Sequence, residues 1–161
     1  MRSTPVQINK QKEMRLYTHP KLRITVEEID GIPYIKEVWR GIFNPIVFRD
    51  LIGNSFQIYK KHLSNIRLEH QNKFLLLGDT RDLELIRDEE VDWINKVVNP
   101  QYEALGITHQ AIIAPISQYA SGKVNEVNTD ENYLHFITKL FKDENSALQW
   151  FLTDNRVKSN I

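Results

Sequence analysis

Phe74-Leu75-Leu76-Leu77-Gly78-Asp79-Thr80-Arg81-Asp82 is a short apolar run that stops abruptly in small and charged residues. Polar Gln71-Asn72-Lys73 precedes it, and the run is too short for a helix, so it reads as a strand buried on both faces at the centre of a sheet. A helical pattern lies on either side of it, the βαβ signature of a largely parallel sheet. The expected fold is α/β, with a mixed, mostly parallel sheet of about five strands, an N-terminal antiparallel hairpin and about four packed helices.

Toward the N-terminus, Phe48, Leu51, Ile52, Ser55, Phe56, Tyr59 and Leu63 recur at three- and four-residue spacing and form one stripe of a helix. Asn44-Pro45 starts it, because Asn caps and Pro is tolerated in the first turn. Before it, Leu22, Ile24 and Val26 alternate with Arg23, Thr25 and Glu27, the period of a strand with one solvated face. Asp30-Gly31 suits a tight hairpin turn, so Ile32 to Trp39 returns antiparallel, with Pro33 near the strand start or on an edge. Met1 to Met14 shows no periodicity, and residues 1–15 are expected to be a loosely held extension.

Toward the C-terminus, Asp88-Glu89-Glu90 places negative charge in the first turn of a second helix. Pro100 should kink or break that helix, and Gly106 should end it. His109 to Ala114 reads as a second buried strand and Phe136 to Phe141 as the last one. The secondary structure of 116–134 stays open between helix and loop. Asp143-Glu144-Asn145-Ser146 caps a final helix whose buried face includes Ala147, Leu148, Trp150, Phe151 and Leu152. The domain organisation that follows is one domain over 16–153, with a polar tail from 154 to 161.

The 161 residues contain 21 basic and 21 acidic side chains, so no overall field draws in nucleic acid or an anionic membrane. With no cysteine, a disulfide framework, a thiolate metal site and a cysteine nucleophile are excluded. No apolar stretch is long enough to cross a bilayer, and a cytoplasmic location is the expectation. The five histidines lack metal-site spacing, and neither a nucleophile elbow nor a phosphate-cradling loop is present, so no cofactor, no metal and no enzyme are expected.

Three pieces in order, Val38-Trp39-Arg40-Gly41, Leu77-Gly78-Asp79-Thr80-Arg81 with Trp93-Ile94, and Phe141 to Trp150, resemble the STAS-like proteins related to the sporulation antagonist SpoIIAA, particularly a bacterial branch. The resemblance spans roughly Leu22 to Leu152 and extends to the CRAL-TRIO lipid-transfer domains. It implies a role in binding or signalling without catalysis, so a regulatory or protein-interaction module is expected, with a regulatory protein or, through the exposed edge of the hairpin, a second copy (a homodimer) as partner. The alternative it implies is a binding protein for a lipid or another small apolar ligand. The signalling members are switched on a Ser near the start of the helix after the central strand, but Leu85 to Val91 here holds neither Ser nor Thr. Asp88 or Glu90 could imitate the phosphorylated state there, or simply cap the helix.

Asp79, Thr80 and Arg81 are the candidate site residues at the expected end of the central strand, where open α/β sheets bind ligands. Arg81 could hold a carboxylate or phosphate, with Asp79 orienting it and Thr80 donating a hydrogen bond. The plainer reading has Asp79 and Thr80 bonding the turn backbone, with Arg81 paired to Asp82 or Glu84. A second candidate is an apolar crevice under the Pro100 kink, lined by Trp93, Tyr102 and Tyr119; ordinary core packing is the plainer account of these aromatics. The free edge of the N-terminal hairpin is the expected pairing surface.

Overall fold

The computed structural model describes residues 10–69, 74–117 and 137–154. Its strands are β1 (Lys10–His19), β2 (Leu22–Ile29), β3 (Ile32–Ile42), β4 (Phe74–Leu85), β5 (Ile107–Ile113) and β6 (Ile137–Phe141), and they lie side by side in chain order in one sheet. β1, β2 and β3 pair antiparallel, whereas β3, β4, β5 and β6 pair parallel. The mixed α/β fold is therefore as expected.

The Asp30-Gly31 turn joins β2 to β3 with both residues at positive φ, 47° and 77°, and Ile29 opposite Ile32. This is the mirror-image turn that matches the twist of paired strands. Pro33 is the second residue of β3, one position before the ladder to β4 opens at Tyr34 opposite Leu75, so its missing N–H is not required there.

Helix α1 (Pro45–Glu69) begins as its sequence dictates, with the Asn44 Oδ1 accepting from the Val47 N–H at 2.9 Å. Asn44→Ala should cost about 1 kcal/mol of unfolding free energy, measurable by urea denaturation, because that amide loses its partner. Phe48, Leu51, Ile52, Phe56 and Tyr59 are buried on one face of the sheet. The second helical rod packs there too, as α2 (Asp88–Trp93), a π-helical turn (Ile94–Val98) and α3 (Asn99–Leu105). Gly106 ends it in the left-handed conformation at φ 96°. Helix α4 (Glu144–Thr153) lies on the opposite face, against Tyr34, Leu75, Leu77, Ala111 and Ile113, and Asp143 Oδ1 caps it through the Ser146 N–H at 2.7 Å.

Two boundaries differ from expectation. The supposed extension 1–15 overlaps β1, which starts at Lys10 and makes the sheet six-stranded; β1 also covers the β2 edge that was expected to be free. The central strand runs on to Leu85 and does not stop in a turn near Asp82. Beyond Asp79 its ladder continues with β3, whereas the ladder with β5 ends at Asp79 opposite Ile113 and gives way to a bond from the Ile116 N–H to the Arg81 carbonyl at 3.2 Å. Ser117 marks the limit of description after β5, so the open question over 116–134 lies almost wholly outside the described residues.

Candidate functional site

Alternation along β3 and β4 divides the site residues between the two faces of the sheet. Glu37, Trp39, Gly78, Thr80 and Leu83 look toward α1 and the second helical rod, where they line a crevice. Lys36, Val38, Arg40, Asp79, Arg81 and Asp82 look the other way into a polar basin. The predicted trio is thus split: Thr80 points away from Asp79 and Arg81, and its hydroxyl donates to the Ile113 carbonyl at 2.6 Å.

The crevice owes its existence to local irregularity. Pro100 has no N–H to give and its ring crowds the carbonyl four residues back, so the rod widens into a π turn in which the Asn99 N–H reaches the Ile94 carbonyl. Ile94 and Val98 roof a space of about 80 Å³, and Gly78 leaves its floor bare. Tyr102 and Phe48 wall it. Trp93 does not line it but stands behind Phe48, the ring centres 6.0 Å apart, with the Arg49 guanidinium over the Trp93 ring at 5.1 Å. Tyr119 lies outside the described residues.

Inside this apolar space is one carboxyl group, Glu37, only 3 % exposed. The Tyr59 hydroxyl donates to its Oε2 at 2.5 Å and that of Tyr102 reaches the same oxygen at 3.5 Å. Burial pushes the Glu37 carboxyl up to about 7, and the hydrogen bonds from Tyr59, Trp39 and Tyr102 offset only part of that cost. Burial, and then the neighbouring Glu37, raise both tyrosines as well, so their hydroxyls stay protonated donors. Glu37 can therefore change its charge near neutral pH in a water-poor space. It was not among the predicted site residues, although an acid between Ile35 and Trp39 at two-residue spacing, on the face of β3 that should be buried, was a signal for it.

On the opposite face, Asp79 is buried and Arg81 closes a two-pronged ion pair on it, Nε to Oδ1 at 3.0 Å and Nη2 to Oδ2 at 2.7 Å. Burial would raise the Asp79 carboxyl, but the hydrogen bonds from the Arg81 side chain and backbone outweigh it and hold the group below the usual carboxylate range. Asp79 thus holds Arg81 by its side chain and also accepts the Arg81 backbone N–H at 3.2 Å, so it combines an element of each of the two readings. The alternative pairing of Arg81 with Asp82 or Glu84 is not what forms; Asp82 faces Arg40, at 3.9 Å. The register explains this: Val38 pairs with Asp79 and Arg40 with Asp82, so β4 carries one extra residue there, and the bulge turns the consecutive Arg81 and Asp82 to the same face.

Among the described residues no cluster of His, Asp and Glu is arranged to hold a metal ion, and no helix is long and apolar enough to cross a membrane. In comparisons with known proteins the chain matches no family model, no curated protein and no solved structure. What fold and site define is a class: a mixed α/β protein with a six-stranded sheet and a different pocket on each face of the same two strands.

Proposed function

We propose that the chain is a cytoplasmic, non-enzymatic STAS-like binding module whose crevice beneath the π turn takes a small, largely apolar molecule carrying one hydrogen-bonding group. The observation that carries this reading is Glu37: a single titratable carboxyl, with two tyrosine hydroxyls on it, in a mostly apolar space between sheet and helices whose other polar side chains are Thr80 and Gln110. Such a space selects by shape, and the carboxyl fixes orientation. Pockets for drug-sized ligands occupy roughly 300–1,000 Å³. The crevice, at about 80 Å³, suits a ring or a short branched fragment better than an acyl chain.

A pure protein-interaction role has less support, since β1 covers the hairpin edge that would have served it. The outer strand itself presents exposed Glu13 and Arg15, charges that discourage edge-to-edge pairing.

Native mass spectrometry of the protein purified from its own host tests the proposal. A small molecule should be retained by the natural protein and lost from Gly78→Val. A β-carbon at Gly78 would meet only the Ala111 carbonyl oxygen, at 3.9 Å, so the backbone position accepts a side chain and the valine methyls project into the crevice. The variant should be as stable as the natural protein, or more stable by about 0.5 kcal/mol, because a strand glycine is replaced by a β-former. A bare natural protein, or an unchanged retained mass in the variant, would sink the reading.

A further inference from the structure

The helices cover the two faces of the sheet unequally. On the α4 face, the described helix covers the N-terminal halves of β3 and β4 together with β5, and leaves the C-terminal halves of β3 and β4, and the start of β2, to the basin. The basin encloses about 340 Å³ and is walled by Arg23, Lys36, Arg40 and Arg81, with Asp79 and Asp82 as its anions.

We infer that this basin binds an oxyanion, the phosphate or carboxylate group of a small molecule, with Arg81 and Arg23 as its principal donors. Three observations support it independently of the crevice. First, Asp79 grips Arg81 by Nε and Nη2, so the guanidinium is fixed in direction while the side chain stays 41 % exposed. A guanidinium held this way meets an oxyanion with little ordering cost, and with Nε and Nη2 turned to Asp79 its Nη1 edge is what remains for the ligand. Second, the Nε of Arg23 is buried yet has no hydrogen-bond partner among the described residues. Arg23 as a whole is only half-buried, so its side chain can turn to present that unsatisfied donor to an oxyanion in the basin. Third, ordinary alternation from Asp79 puts Arg81 on this face, and the bulge that follows sets Asp82 beside Arg40, so Asp79 is the acid that grips Arg81.

The cations are not all available. Lys36 is bonded to Glu144 at 2.9 Å, and Asp79 neutralises Arg81. Arg40 and Asp82 are more than half exposed and 3.9 Å apart, a weak pair that can open. Arg23 and Arg40 therefore supply the charge, and Arg81 the geometry.

The test follows the arginine Nε–H signals of the ¹⁵N-labelled chain while inorganic phosphate, acetate or chloride is added at matched ionic strength. Saturable shifts of the Arg81 and Arg23 signals with phosphate or acetate are expected, and the tighter of the two identifies the group as phosphate or carboxylate. Arg23→Gln should weaken that binding about tenfold, the worth of one charge-assisted hydrogen bond. Shifts that never saturate, that chloride reproduces, or that survive unchanged in Arg23→Gln overturn the inference. Arg81→Gln is a second probe, but it leaves Asp79 buried without its partner, so Arg23→Gln decides if that variant does not fold. Gly78→Val should leave the phosphate response intact, which separates failure here from failure of the crevice.

Discussion

Glu37→Gln should flatten the fall in stability expected of the natural protein as pH rises from about 4.5 to about 7. In the unfolded chain Glu37 ionises at its ordinary value of 4.5, whereas burial delays ionisation in the folded protein to about 7. Between those values the folded state holds the proton more often than the unfolded state, so each step up in pH favours unfolding. The stabilising contribution is complete below 4.5 and gone above about 7, a difference of about 3 kcal/mol. Glutamine keeps an acceptor for Tyr59 and Tyr102 but cannot ionise. Urea denaturation of both proteins at about pH 5 and about pH 8 reads the effect, with the variant gaining on the natural protein at the higher pH. Parallel profiles would mean that Glu37 ionises in the folded state as freely as in water, and its place in an apolar crevice would then count for little.

Phe151→Ala should destabilise the fold by about 4 kcal/mol, the largest single effect expected of a substitution here. The Phe151 ring is fully buried, with its centre 6.0 Å from that of Tyr34 and 5.7 Å from that of Trp150. It anchors α4, the described helix on its face of the sheet, so deletion of the ring leaves a cavity between helix and strands that neither can readily close. Chemical denaturation monitored by tryptophan fluorescence measures it. A loss under about 1 kcal/mol would show that α4 can settle onto Leu75, Leu77 and Ala111 without its central ring.

Much of this architecture was legible because local chemistry and global fold agree at the turns. Asp30-Gly31, Asn44-Pro45, Gly106 and Asp143 each do in the structure what their side chains predict. β1 escaped notice because an edge strand pairs on one side only and its charged residues break the alternation, which register shifts near Arg15 disturb further. The length of β4 was missed for a related reason. Beyond Leu77 no described helix covers the Asp79 side of the sheet, so charged residues continue the strand where the apolar pattern stops.

The candidate site was legible in part. Asp79 and Arg81 are paired, but the split of Thr80 from them follows from alternation that becomes visible only once the strand is known to run on. Pro100 announced a disturbance without saying that it would be a π turn, and the bulge that brings Arg81 and Asp82 together depends on register with β3, a non-local property.

The strict side-by-side order of the strands has a consequence for how such a protein can change over generations. In sheets whose strand order reverses, the reversal itself opens a cleft, so every descendant that folds inherits a place for a ligand. Here the described strands never reverse, and the crevice rests on a proline that loosens one helix and a glycine that bares one floor position. A pocket built this way can be reshaped independently of the strand order, and Pro100 and Gly78 are the two positions through which such a change would act.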